Sequence, residues 1–225
     1  MAKNMSLLWC SGSPPCWMVM IALAEKNLYG YHQKRLSVTN MAHRTPELMA
    51  INPRGQVPAF RHGDRVLNES LSACLYLENQ FKEQGNKLIP SCPAEQAMMY
   101  QRMMEGTVLF QKSIAIIHHS CKVPKKEECD SAMGEIHEEL RKEVKLWERY
   151  RKESTGPFMS GKTFSLSDVC VFPSIAFLFY YRLSPERYPK VAEYYNLLKE
   201  RTSIKNTWPP HWQFNPTGRA LMKAI

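Results

Sequence analysis

The spacing of apolar positions changes several times along the chain, and each change marks an element. Residues 5–9, Met-Ser-Leu-Leu-Trp, form a short apolar run that reads as a buried strand. Ser11-Gly12-Ser13-Pro14-Pro15 interrupts it, and prolines suit a first helical turn because their missing N–H is not needed there. Over 16–26, Trp17, Met20, Ile21, Leu23 and Ala24 recur at helical spacing, which predicts a helix, and 29–38 predicts a second strand. Strand, helix, strand makes a βαβ unit with a parallel pair. A loop with short helical character covers 41–51. Residues 56–61 and 65–68 then predict two strands joined at Gly63-Asp64, an antiparallel hairpin. A helix over 70–81, with Leu71, Cys74, Leu75 and Leu77 on its inner side, closes this part.

Residues 83–90 have the composition of a linker, and everything after Pro93 reads as helix. Long periodic segments cover 94–119 and 130–153. Gly156-Pro157 breaks the pattern ahead of Ser165-Leu166-Ser167-Asp168, a capping box in its Asp variant. The helix it starts, 169–181, is apolar all round and is expected at the centre of its domain. A further helix over 188–201 and a tail over 208–225 complete the chain. The predicted fold class is therefore α/β plus all-α. A βαβ-ββα domain of thioredoxin-like order spans 1–84, and an all-helical domain spans 94–225.

Composition adds bounds. Of 225 residues, 44% are hydrophobic and 23% charged, as in ordinary soluble domains. No apolar run approaches the roughly 18 residues a membrane span needs, and the N-terminus leads into a strand rather than a signal peptide. Seven cysteines, an odd count without paired spacing, point to a reducing cytoplasm. The net charge of +9 is spread along the chain, and where Lys and Arg gather, near 122–126 and 141–152, acids are interleaved. That is the pattern of solvated helix faces, not of a nucleic-acid stripe.

The candidate chemistry lies in two segments. Ser13 has two readings, a turn residue or a hydroxyl donor to a bound thiolate at the start of a helix. A free thiol titrates near 8.5, and a hydrogen bond with a helix N-terminus would lower that value. No base stands at a readable spacing to make Ser13 a nucleophile. Pro58 likewise marks either an edge strand or a cis Val57-Pro58 bond that turns the Val57 backbone toward an extended peptide ligand. Glu69-Ser70 opens the following helix, so Ser70 would offer a hydroxyl and backbone N–H groups to a carboxylate while Glu69 met an ammonium. A γ-glutamyl group carries both. Cys16 is the rival, either a nucleophilic thiol in a first helical turn or a small packed residue, and Cys10 makes no Cys-x-x-Cys motif with it. His118, His119, Cys121 and Cys129 match no standard zinc spacing, so no metal is expected.

These segments resemble the cytosolic glutathione transferases. Ser13-x-Pro15-Cys16 followed by Val19 is similar to the serine motif of the delta and theta classes. Asn52-Pro53-Arg54-Gly55-Gln56-Val57-Pro58 is similar to their segment with a cis proline, Glu69-Ser70 to their γ-glutamyl pair, and Ser165 to Asp168 to the capping box of their C-terminal domain. Ser-Gly-Ser-Pro-Pro-Cys-Trp and Trp208-Pro209-Pro210-His211-Trp212 most resemble the rho class of fish. The resemblance implies a cytoplasmic homodimer that uses glutathione as cosubstrate against small hydrophobic electrophiles. It implies Ser13 as the catalytic donor and His43, Gln56, Val57, Pro58, Glu69 and Ser70 as glutathione contacts. Met103, Met104, Phe110 and Phe177 are the candidates for the electrophile wall. Two departures stand out, Met18 and Leu71, where relatives carry arginine. They leave room for a non-catalytic ligand binder of the same fold, just as Cys16 leaves room for a thiol-disulfide or dehydroascorbate reductase.

Overall fold

The computed structural model describes residues 2–37, 45–122 and 130–225, which divide into two compact units. One comprises Met1–Ile89 with Arg201–Phe214, the other Pro90–Glu200 with Asn215–Ile225.

In the first unit, β1 (Met5–Trp9), α1 (Pro14–Glu25), β2 (His32–Arg35), α2 (Pro46–Ile51), β3 (Ala59–His62), β4 (Arg65–Leu67) and α3 (Ser70–Gln80) follow in order. The sheet order is β2-β1-β3-β4, with β1 and β2 parallel and the other pairs antiparallel. This is the expected βαβ-ββα arrangement. β3 begins at Ala59 rather than at residue 56 because Pro58 has no N–H to offer the ladder. β2 covers only the middle of the predicted 29–38, and all four of its residues are exposed.

α1 is buried at every position but Pro15. Part of its cover comes from α8 (Thr202–Asn206) and α9 (Pro210–Phe214), which a reading by sequence order grouped with the helical half. Trp17 donates its indole N–H to Thr207 Oγ1 at 2.9 Å and meets Trp208 and Trp212 edge-on, with ring centroids 5.1 and 5.6 Å away. At the other end of α1, Arg201 grips the buried Glu25 carboxylate at 2.6 and 2.8 Å. Met18 belongs to this core, 3% exposed, and serves there as a packing residue. Cys74 and Leu77 of α3 are inward as expected, whereas Leu71 and Leu75 are only half-buried.

In the second unit, α4 (Pro93–Lys122) and α7 (Pro189–Leu198) pack on α6 (Leu166–Tyr180), which is buried along 13 consecutive residues from Leu166 to Leu178, and α5 (Asp130–Glu153) packs on α4 and α7. α4 lies against it where Gly106 leaves only 3.0 Å between a notional Cβ and Val171 Cγ2. Asp168 starts α6. It accepts hydrogen bonds from Ser165 N at 2.9 Å, Met159 N at 2.8 Å and the Tyr194 hydroxyl at 3.1 Å. Burial pushes its carboxyl up to about 6, against these donors. The ionised form is therefore disfavoured in the fold, and stability declines as pH rises from the unfolded pKa of about 3.9 toward 6. Asp168→Ala would remove the cap and leave three buried donors unpaired, and should cost about 3 kcal/mol. Chemical denaturation tests this, and a loss below about 1 kcal/mol would contradict it.

Candidate glutathione site

Strand register gathers the predicted residues of the first unit at one end of its sheet. Leu8 pairs with Ala59, so the end of β1 lies beside the start of β3. Phe60 pairs with Leu67, which brings the residues after β4 to the same end. The turn to Ser13, the Val57-Pro58 bond and the Glu69-Ser70 pair thus share one edge, although up to 57 residues separate them.

Ser13 is the N-cap residue of α1, with φ −81° and ψ 113°, yet its side chain makes no capping bond. It stands near the Cys16 thiol, where it favours the ionised sulfur, and that sulfur accepts from Cys10 N at 3.5 Å. Sulfur is a weak acceptor, so the hydroxyl is easily redirected. Pro14 and Pro15 remove the first two N–H groups of the helix, and Cys16 is the first residue with one to offer. An anion here would depend on the hydroxyl more than on backbone amides.

α3 differs. Glu69 is its N-cap residue and makes no side-chain cap, while Ser70, Leu71 and Ser72 all carry N–H groups that precede the first intrahelical bond, Ala73 N to Glu69 O at 2.9 Å. Such an end suits a carboxylate. Glu69 is exposed and faces an open cavity of about 380 Å³ walled by Asn52, Arg54 and Asn68; Val57 and Ser70 do not line it.

Between these ends the Val57-Pro58 bond is cis. Buried Asn52 holds the approach to it: its Nδ2 donates to Gln56 O at 2.7 Å and its Oδ1 accepts from Arg54 N at 3.1 Å. Asn68 Nδ2 donates to Ile51 O at 3.1 Å from the far side. Neither asparagine was given a role from sequence, although Asn52 belongs to the segment that carried the resemblance. Gln56 is exposed, and His43 lies outside the described residues.

Cys16 is fully buried, and burial pushes its thiol up to about 12, with hydrogen bonds from Ser13 and Cys10 opposing. It is no nucleophile at neutral pH. In the helical unit, two of the four electrophile candidates need correction. Met103 is completely buried and Phe177 is 5% exposed, stacked edge-on against Tyr181 at 4.8 Å. Both are core residues, because the α6 surface and the inner face of α4 pack together. Met104 is 51% exposed and Phe110 is half-buried. Among the described residues, no group of three metal-ligating side chains exists and no helix is long and apolar enough to cross a membrane.

The profile "Glutathione S-transferase, N-terminal domain" matches residues 12–80, and "Glutathione S-transferase, C-terminal domain" matches 113–206. Glutathione S-transferase A of Pleuronectes platessa is 57% identical over 225 residues, covering all of both chains. The chain belongs to the glutathione S-transferase family. It is an enzyme, with the activity of a glutathione transferase. The crystal structure of a family member from the Antarctic clam Laternula elliptica is 33% identical, with a TM-score of 0.87 over 99% of this chain and 100% of that one. A homolog from Sulfitobacter, solved with bound glutathione, shares the fold at a TM-score of 0.77 and 23% identity over 92% and 97% of the two chains.

Proposed function

We propose that the two helix starts divide glutathione between them. α3 takes the γ-glutamyl end, its N–H groups and the Ser70 hydroxyl on the carboxylate and Glu69 on the ammonium. The Val57 backbone pairs with the cysteinyl residue, and the Ser13 hydroxyl turns from the Cys16 thiol to the ligand's sulfur and holds it as thiolate. That sulfur attacks an electrophilic carbon of a small hydrophobic compound, a C–S bond forms, and the leaving group departs with its electron pair. The observation that carries this reading is the Ser13 hydroxyl, which stands at a helix start without capping it, on the sheet edge it shares with Val57 and Ser70. Met104 and Phe110 remain the candidates for the electrophile. The described cysteines form no disulfide, which fits a cytoplasmic protein, and we assign it there as a homodimer. Neither the reductase nor the ligand-binder reading gains support, since the Cys16 thiol is buried and protonated and Met18 is a packing residue.

Glu69→Ala and Ser70→Ala should each weaken glutathione binding about ten-fold, on the scale of one lost charge-assisted bond, while kcat at saturating glutathione stays within a few-fold. Calorimetry with glutathione, paired with a conjugation assay on a chloronitroaromatic, reads both effects. Unchanged affinity in both variants would remove α3 from the binding site.

A further inference from the structure

The direction of the Ser13 hydroxyl depends on the turn before it, and that turn is held from a distant part of the chain. Ser11 Oγ and His211 Nδ1 share a hydrogen bond at 2.7 Å across 200 residues of sequence. Between Ser11 and Ser13, Gly12 has φ +75°, and a Cβ there would stand 2.6 Å from His211 Cε1 and 3.1 Å from Trp212 Nε1. The turn therefore lies directly against the imidazole edge, and only glycine fits. Ser13 N donates back to Cys10 O at 3.3 Å and Ser13 O accepts from Trp17 N at 3.0 Å. The imidazole is itself fixed, because its neighbour Trp212 packs on Trp17 and Trp208. Burial, and secondarily the Arg35 guanidinium on β2, lower the His211 pKa, so the ring is neutral at pH 7.

A serine and histidine in contact also describe a nucleophile and its base. An acyl intermediate, however, needs N–H donors for its oxyanion, and Pro14 and Pro15 have removed those at the start of α1. The pair suits holding better than reacting.

We propose that His211 is a positioning residue for thiolate formation: through the Ser11 hydroxyl it fixes the Ser11-Gly12 turn and so aims Ser13 at the sulfur of bound glutathione. This rests on the reading of Ser13 as the thiolate donor. A hydrogen bond loses most of its strength over a few tenths of an ångström and a few tens of degrees, so a loosened turn would act on the thiol without touching it.

The test is the pKa of the bound glutathione thiol, read from the ultraviolet absorbance of the thiolate across pH, with calorimetry for affinity. Ser11→Ala removes the bond without altering α9, and His211→Ala removes it from the other side. Each should raise the thiol pKa by about one unit and lower kcat/KM at pH 7 by about three-fold, since a thiol near 6.5 is already mostly ionised there, with glutathione affinity within about two-fold. His211→Asn, which keeps a hydrogen-bonding atom near the place of Nδ1, should recover most of the loss. The double variant should be no worse than the worse single. A thiol pKa unmoved in Ser11→Ala, while Ser13→Ala raises it, overturns the role of His211. So does a loss in His211→Ala that Ser11→Ala does not share, which would make the imidazole mere packing. A value unmoved in Ser13→Ala overturns the Ser13 reading itself.

Discussion

Ser13→Ala is expected to lower kcat at pH 7 by ten-fold or more and to recover as pH rises toward 9. One charge-assisted hydrogen bond at a helix start supplies about 2.7 kcal/mol, or two units of thiol pKa. A bound thiol that titrates near 6.5 in the native enzyme would then titrate near 8.5, its value in water. At pH 7 most of the sulfur would go from ionised to protonated. The sign follows from which form is held: the hydroxyl favours the anion, so its loss matters below the raised pKa and vanishes above it. Because Pro14 and Pro15 leave few amides to compensate, the effect should be larger here than at a helix start with a full set of N–H groups. A pH–rate profile of the variant parallel to the native one would exclude the role.

The second large effect is structural. Lys26, with no exposed surface, places Nζ 2.5 Å from Glu78 Oε2 and donates to Asn86 O at 2.8 Å. Glu78 Oε1 accepts from Leu88 N at 3.0 Å and Ile89 N at 3.3 Å. Lys26→Ala would leave the carboxylate buried without its cation, at a cost of about 3–5 kcal/mol and a fall in Tm on the order of 10 °C. Lys26→Met with Glu78→Gln removes both charges and keeps an acceptor for the two backbone donors, so it should restore most of the loss. Thermal unfolding followed by circular dichroism measures both. A Lys26→Ala protein as stable as the native one would mean that the pair contributes nothing.

The same buried pair shows where sequence reading stops. Periodicity located β1 and α5 at the bounds the structure has, because both carry one unbroken pattern between clear stops. It misplaced the start of β3, where composition looks strand-like but proline cannot join the ladder. It read residues 83–90 as a linker from their Gly, Asn and Pro, yet Gln84 and Asn86 bond the C-terminal end of α1, with Gln84 Nε2 2.7 Å from Lys26 O and Asn86 N 2.8 Å from Glu25 O. Gly85 is pressed so closely on Glu25 O that a Cβ would sit 2.2 Å away.

At the proposed site, the positions of Ser13, Val57-Pro58 and Glu69-Ser70 beside element starts were legible because each is a local signal, a cap or a turn. Asn52, Ser11 and His211 were not, because their partners are fixed only by the folded chain. His211 stood in a tryptophan-rich segment already singled out, but nothing in a linear pattern pairs it with a serine near the N-terminus. Met103 and Phe177 failed for the opposite reason. An apolar stripe shows that a face will be covered and does not say whether by ligand or by neighbouring helix.

The first unit is discontinuous: its sheet ends within the first 89 residues, but residues 201–214 complete it. On a ribosome, α1 would emerge early and wait, with Trp17 and the Glu25 carboxylate uncovered, until more than a hundred further residues had been translated. A nascent chain stalled before residue 201 should therefore remain a client for chaperones, and an isolated N-terminal fragment should aggregate rather than fold.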